Sequence, residues 1–312
     1  RLSAGGLRCS GGRVCPPCAT PGAFHAMDYQ EAFNIGEPVR FRKNSWGAFV
    51  IALLAALTFN LPLLGAIFNS LRSDEAIATG AFSWEFDSGF SHFQNAMGAA
   101  GYDFPLFFRN SILISLGAVI LVTVLAVPAA YAVVRLGFGG PWILRIAVML
   151  RVTPAIFFLI PFYLMFSRFG LIDSIAVLIL VDSFINLTLA LLIFANALAE
   201  VPIEIEESAA IDGASVYQRL RHIVLPLLAP AMVSVAVLTF LFTWADYIFA
   251  VVLTASDATT VTVGAANFVT SYGVRWGDIS AAVVLSILPP LIFALLAQRY
   301  LVRGLSAGAV KG

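Results

Sequence analysis

Six stretches of this chain are apolar for roughly 20 residues each, the length a helix needs to cross a bilayer core about 30 Å thick. They run from Trp46 to Phe68, Ile112 to Val134, Ile146 to Phe166, Ile175 to Ala197, Leu227 to Leu253 and Ile279 to Gln298. The first two carry no charge, and their apolar residues are continuous instead of alternating, as lipid-facing barrel strands would. The expected fold is therefore all-α: a polytopic membrane bundle of six transmembrane helices. Pro62, Pro128, Pro154, Pro161, Pro230, Pro289 and Pro290 fall inside these spans, where neighbouring helices can satisfy the freed carbonyls, so kinks are expected.

Composition excludes the alternatives. Only 12% of residues are charged and 60% are hydrophobic, against about 25% charged in a soluble domain. Eighteen basic residues balance eighteen acidic ones, which leaves no net field for a nucleic acid and no charge excess of the kind that keeps a chain disordered. Basic residues near short loops stay on the cytoplasmic side. With the N-terminus inside, Arg40, Arg42, Lys43, Arg135, Arg145, Arg219, Arg221, Arg299, Arg303 and Lys311 lie inside, against Arg72, Arg109, Arg168 and Arg275 outside. Both termini are therefore expected in the cytoplasm of a multi-pass protein of the cytoplasmic (inner) membrane.

Residues 1–26 differ from the rest. They hold all three cysteines and three arginines, no acidic residue, and no apolar run of signal-peptide length. Cys9, Cys15, Cys18 and His25 have zinc-ligand chemistry, and the Cys15-Pro-Pro-Cys18 spacing is that of a thiol redox motif. The plainer expectation is a non-native or dispensable leader ahead of Met27, followed by a cytoplasmic segment, 27–45, and a six-helix membrane domain, 46–304. Outside, Asn69 to Arg109 interleaves Phe82, Trp84, Phe86, Phe90 and Phe93 with polar residues, as an interfacial belt or a packed lid does. Thr254 to Asp278 is polar and long, a candidate contact surface.

The most charged stretch is the cytoplasmic loop 200–226. Pro202 can open a short helix there, Glu204, Glu206 and Glu207 suit its positive end, and Gly213 lets the chain turn out of it. Ser208, Ala209, Ala210 and Ala214, beside Ile205 and Ile211, would let this helix lie close against another surface, though a solvated loop helix has the same composition. No nucleotide-binding P-loop is present: Lys43 is followed by Asn44 and Lys311 by Gly312, where Ser or Thr is needed. Only three histidines occur, in no metal-ligand spacing, so a membrane enzyme has no support. An ion-gradient-driven secondary transporter remains as the alternative, with Arg151, Asp182 and Asp246 as its intramembrane ionisable groups.

Glu207-Ser208-Ala209, then Gly213, then Ile223-x-Leu225-Pro226, resembles the EAA loop of permease subunits in binding-protein-dependent ABC importers, with Ser208 in place of the first alanine. Phe108-Arg109-Asn110-Ser111 and the C-terminal run from Gln298 to Gly312 are similar to the maltose-permease G type, whereas Trp244-Ala245-Asp246-Tyr247 departs from the WNEF often found in that family. The resemblance implies a type I importer permease for a carbohydrate. Its partners would be a second homologous permease, two ABC ATPase subunits, a periplasmic or lipid-anchored binding protein and membrane lipid, with no nucleic acid. ATP and Mg would bind on the ATPase subunits, and no cofactor on this chain. Glu206, Glu207, Ser208, Ala209, Asp212, Gly213, Leu225 and Pro226 would form the ATPase-coupling site, and the tail 305–312 would reach between the ATPase subunits. Gln218, on the following helix, is expected to matter little. Asn60, Asn186, Trp244, Asp246 and Tyr247 are candidate pathway residues, with Asn196 a weaker one; each is equally suited to packing helices together.

Overall fold

A computed structural model describes residues 46–80, 90–99, 103–266, 268–270 and 273–309. The leader, its cysteines and His25, the basic residues Arg40, Arg42 and Lys43, the aromatics Phe82, Trp84 and Phe86, and residues 310–312 lie outside the described residues. The chain divides into two units at Thr58/Phe59. The first contributes residues 46–58, the start of helix α1 (Trp46–Asn69), and all of these are exposed. A helix apolar on every face and buried on none is suited to lipid or to another chain.

The second unit is built around α4 (Phe104–Val134) and α7 (Ile175–Glu200), which pack along each other. On α4, Ile114, Ala118, Val122, Ala126 and Ala130 recur every four residues and are each at most 1% exposed, a seam of mostly small side chains that lets the helices approach closely. Asp103 caps α4, its carboxylate accepting the Leu106 N–H at 3.1 Å, with Pro105 in the first turn. The helix therefore begins eight residues before the apolar run at Ile112, and at about 1.5 Å per residue it reaches roughly 46 Å, longer than the bilayer core. Pro128 does not break it.

Two of the expected spans are not single straight helices. The stretch Ile146 to Phe166 divides into α5 (Gly140–Val152), a 3₁₀ turn (Ala155–Phe158) and α6 (Leu159–Arg168), bent by 99°. The cause is Pro154, which forces Thr153 to extended geometry (ψ 127°) and offers no N–H to continue the ladder. The stretch Leu227 to Leu253 divides at Ala245–Tyr247 into α11 (Ala229–Trp244) and α12 (Ile248–Leu253). Asp246 makes that break tolerable, its carboxylate accepting the Ala250 N–H at 3.1 Å. Among the described residues four unbroken helices are long and apolar enough to span, α1, α4, α7 and α14 (Trp276–Ala309); two bent pairs, residues 140–168 and residues 216–244, bring the number to six if each is one span. α14 continues past residue 304 to Ala309, so the boundary expected before the tail does not interrupt the helix.

At the end of the bundle where α4 begins, three polar anchors hold the connections. Asn110, wholly buried, donates to the carbonyls of Asp257 (2.8 Å) and Thr259 (3.0 Å), and Ser111 Oγ accepts the Val261 N–H (2.9 Å) at the start of α13 (Val261–Ala266). Asp173 grips residues 255–258. Ala258, Thr259 and Thr260 are consequently buried, so part of the loop expected to reach outward is packed inward. After α13, the two-residue strands β1 (Val269–Thr270) and β2 (Gly273–Val274) form a small antiparallel hairpin leading to α14.

The third anchor is His92, 2% exposed, on α3 (Ser91–Gln94), which follows α2 (Asp74–Ala78). Its Nδ1 lies 2.8 Å from Asp278 Oδ1 and its Nε2 2.8 Å from the Arg72 carbonyl, with Asp74 at 3.8 Å. A carbonyl and a carboxylate only accept, the latter already paired with Arg275, so both ring nitrogens must donate and the imidazole is charged. Any side chain at Gly277 would run into this ring. Burial opposes the charge, but the bonds to Asp278 and Arg72 and the nearby carboxylates outweigh it, and the pKa rises above 6.5. A raised folded-state pKa gives stability that is complete below the unfolded value and is lost as pH rises through the folded one. The thermal midpoint should therefore fall on going from about pH 6 to pH 9, and His92→Gln should flatten that dependence. An equal slope in the variant would assign it to other groups.

Candidate functional site: the loop 200–226

Pro202 opens α8 (Ile203–Ile211), whose first turn carries Glu204 and Glu206. The helix ends at Asp212, and Gly213 follows with φ +86°, a left-handed conformation that glycine adopts without penalty. Gly213 N–H donates to Ala210 O (3.1 Å) and Ala214 N–H to Ala209 O (2.9 Å), which closes the C-terminus. Ser215 then starts α9 (Val216–Arg219) with a reciprocal cap: Gln218 Oε1 accepts the Ser215 N–H (2.7 Å), and Ser215 Oγ the Gln218 N–H (3.3 Å). A wide turn (Leu220–Val224) and α10 (Leu225–Leu227) lead into α11, with a bend of 74° across Leu228. Gln218 thus caps α9 together with Ser215, and the Ser-x-x-Gln spacing of that cap was present in the sequence.

The residues of the loop divide by direction. Glu207, Ser208, Asp212, Gly213 and Pro226 are exposed, and Ala209 and Leu225 are half-buried. Ser208 Oγ donates back to Glu204 O (2.5 Å), which keeps the hydroxyl on its own helix. Ile211 is 87% exposed and Tyr217 65%, with Ile203, Ile205 and Val216 also open. Apolar side chains left open beside acidic ones form a patch of the kind that partners cover. Glu206 departs from the expected contact set: it is 2% exposed, and its Oε1 lies 2.8 Å from Arg135 Nε. Adjacent residues on a helix point about 100° apart, so with Glu206 turned into the bundle Glu207 faces out. Arg135 was visible in the sequence only as a basic residue following a span.

The candidate pathway residues do not form one cluster. Asn60 is exposed on α1. Asn186 is buried on α7, with Nδ2 donating to Asp182 O (2.9 Å) and reaching Thr243 Oγ1 (3.5 Å). Trp244 packs between Phe108 and Phe240 and donates to Ser286 O (3.2 Å), a packing position. Asp246 is half-buried at the start of α12 and Tyr247 is 44% exposed. Arg151 stacks over Phe242 at 5.1 Å and borders a cavity of about 220 Å³ at the α5–α6 bend, with Phe158, Phe184 and Thr188.

Long apolar helices, one stretch broken at Pro154, with a short acidic helix turned on a left-handed glycine beyond them, make a polytopic membrane bundle. Residues 122–307 match the family model described as "Binding-protein-dependent transport system inner membrane component". The chain belongs to that family and is the permease subunit of an ABC importer, a multi-pass inner-membrane protein. It is 33% identical over 264 residues to the trehalose/maltose transport system permease protein MalG of Thermococcus litoralis, covering 84% of this chain and 95% of that one. It is 37% identical over 207 residues to the trehalose transport system permease protein SugB of Mycobacterium tuberculosis, covering 65% and 76%. Among solved structures, a chain of a bacterial ABC transporter involved in import of the acidic polysaccharide alginate superposes with a TM-score of 0.68 at 22% identity, covering 85% of this chain and 100% of that one, a likeness of fold.

Proposed function

We propose that this permease forms the translocation pathway for a carbohydrate together with a second homologous permease. Two ATPase subunits carrying ATP and Mg dock on loop 200–226, and an extracytoplasmic binding protein delivers the solute. The single observation that carries the docking is the exposed patch on α8, with Glu207 and Ile211 turned outward beside the left-handed Gly213. The solute class rests on relatives whose names concern trehalose and maltose. Both termini lie in the cytoplasm, on the distribution of basic residues. Among the candidate pathway residues, Asn186, Asp246 and Tyr247 sit on or next to the broken helices, where polar groups are tolerated only if they face protein or water.

The test is uptake by vesicles holding the assembled complex. Transport of a disaccharide should require ATP and binding protein and persist when the proton gradient is collapsed; uptake driven by the gradient alone would restore the secondary-transporter reading. Reporter fusions should read outside at Ser256 and inside at Gly139, and the reverse at both would invert the topology. Gly213→Val places a β-branched residue at φ +86°, costing about 1–2 kcal/mol locally. This variant should insert normally yet hydrolyse ATP with little transport; normal transport would show that the turn is not needed in this form.

A further inference from the structure

We propose that Arg135 is a positioning residue that locks the coupling helix to the membrane bundle, and that Glu206 serves inward as its partner instead of touching the ATPase. The inference rests on the reading of α8 as the ATPase-facing helix. Arg135 follows the last turn of α4. From there its guanidinium reaches two other elements: Nε donates to Glu206 Oε1 (2.8 Å) in the first turn of α8, and Nη2 donates to Leu198 O (3.0 Å) and Val201 O (2.5 Å) at the end of α7. One planar fork therefore joins three helices, which a lysine ammonium cannot reproduce with the same geometry. The side chains of Arg135 and Glu206 are only 10% and 3% exposed.

A buried ion pair gains little net stability over apolar side chains of similar volume, because desolvation cancels much of the attraction. What it does impose is direction. Its bonds fix where α8 sits relative to the ends of α4 and α7, and displacing α8 requires those ends to move or the pair to break. α4 is one unbroken helix whose far end carries Asn110 and Ser111, the residues that hold Asp257, Thr259 and Val261. A push at the cytoplasmic helix thus has a continuous, rigid route to the outer loop, through bonds that have to be made or broken as a set.

The decisive variant is Arg135→Met combined with Glu206→Leu, which keeps the volume and removes the bonds; Glu206→Gln and Arg135→Lys are made beside it. Each is assembled as the full complex, and insertion, retention of ATPase subunits and solute moved per ATP are measured. The double variant should insert and keep its ATPase subunits while solute per ATP falls roughly tenfold, with Glu206→Gln and Arg135→Lys intermediate. Solute per ATP equal to the parent's in the double variant overturns the proposal, and so does loss of insertion in both the double variant and Glu206→Gln, since the pair is then purely structural. Glu207→Ala is run in the same assay to separate the two readings. Release of the ATPase by Glu207→Ala, alongside a fully coupled double variant, defeats only the role of Arg135. Full retention and transport in Glu207→Ala defeats the coupling-helix reading itself.

Discussion

Replacing Glu207 by alanine should release the ATPase subunits from an otherwise intact permease. The carboxylate is exposed on α8 and its inward neighbour Glu206 is already committed to Arg135, so of these two adjacent acids Glu207 is the one that can meet a partner. Alone in water, such a carboxylate is fully hydrated and its removal changes stability by less than about 0.5 kcal/mol. Within a desolvated bidentate contact to an arginine of the ATPase, losing one member costs about 2–5 kcal/mol, partly because the remaining charge is left buried. That corresponds to a loss of affinity between roughly 30-fold and several thousandfold. Titrating purified ATPase subunits against permease in nanodiscs separates the two regimes. An unchanged binding curve for Glu207→Ala would mean that α8 docks through Ile211 and its apolar neighbours alone.

The division between Glu206 and Glu207 illustrates what the sequence reveals and what it conceals. The helix itself was legible: Pro202 at its start, acids in its first turn and Gly213 beyond its end are local signals, and they act through bonds no more than a few residues long. Which glutamate faces inward depends on Arg135, 71 positions away, and no local pattern carries that. The membrane spans follow the same rule. The apolar stretches were evident from length alone, but hydropathy is blind to direction, so a 99° bend at Pro154 left the apolar stretch looking like one span. Pro128 sits inside an equally apolar stretch and α4 stays straight enough to remain one helix. Likewise Asp173 and His92 were ordinary polar residues in the sequence and Asn110 only part of a family signature, and the return of the loop near residues 255–261 and of Asp278 turns them into anchors.

Asp173→Ala should loosen the loop 255–260 more than any single change among these anchors. Asp173 holds a positive φ of +64° and its own N–H donates to Leu253 O at 2.8 Å, so its backbone is fixed against the end of α12. From that position one carboxylate accepts four successive backbone N–H groups, of Ala255 (3.0 Å), Ser256 (3.0 Å), Asp257 (3.0 Å) and Ala258 (2.9 Å), together with Ser256 Oγ (3.1 Å). Alanine leaves these donors without a partner; water can replace it at the exposed ones but not readily at Ala258, which is 1% exposed. A buried donor left unmade costs about 1–3 kcal/mol, and with the loss of the charge-assisted bonds the loop should lose about 2–4 kcal/mol of local stability. Hydrogen exchange reads this directly: amides 255–260 should lose protection while those in the middle of α4 and α7 keep it. Desolvation works against the charge on Asp173, but the four N–H groups prevail and hold its pKa well below the usual carboxylate range. A depressed folded-state pKa gives stability that is complete above the unfolded value of about 3.9 and is lost only as pH falls through the folded one. Protection of this loop should therefore be flat from about pH 5 to pH 8 as far as Asp173 is concerned, opposite in sign to the His92 anchor, whose contribution fades as pH rises. Unchanged exchange at 255–260 in Asp173→Ala would mean that Asn110 and Ser111 hold the loop without help.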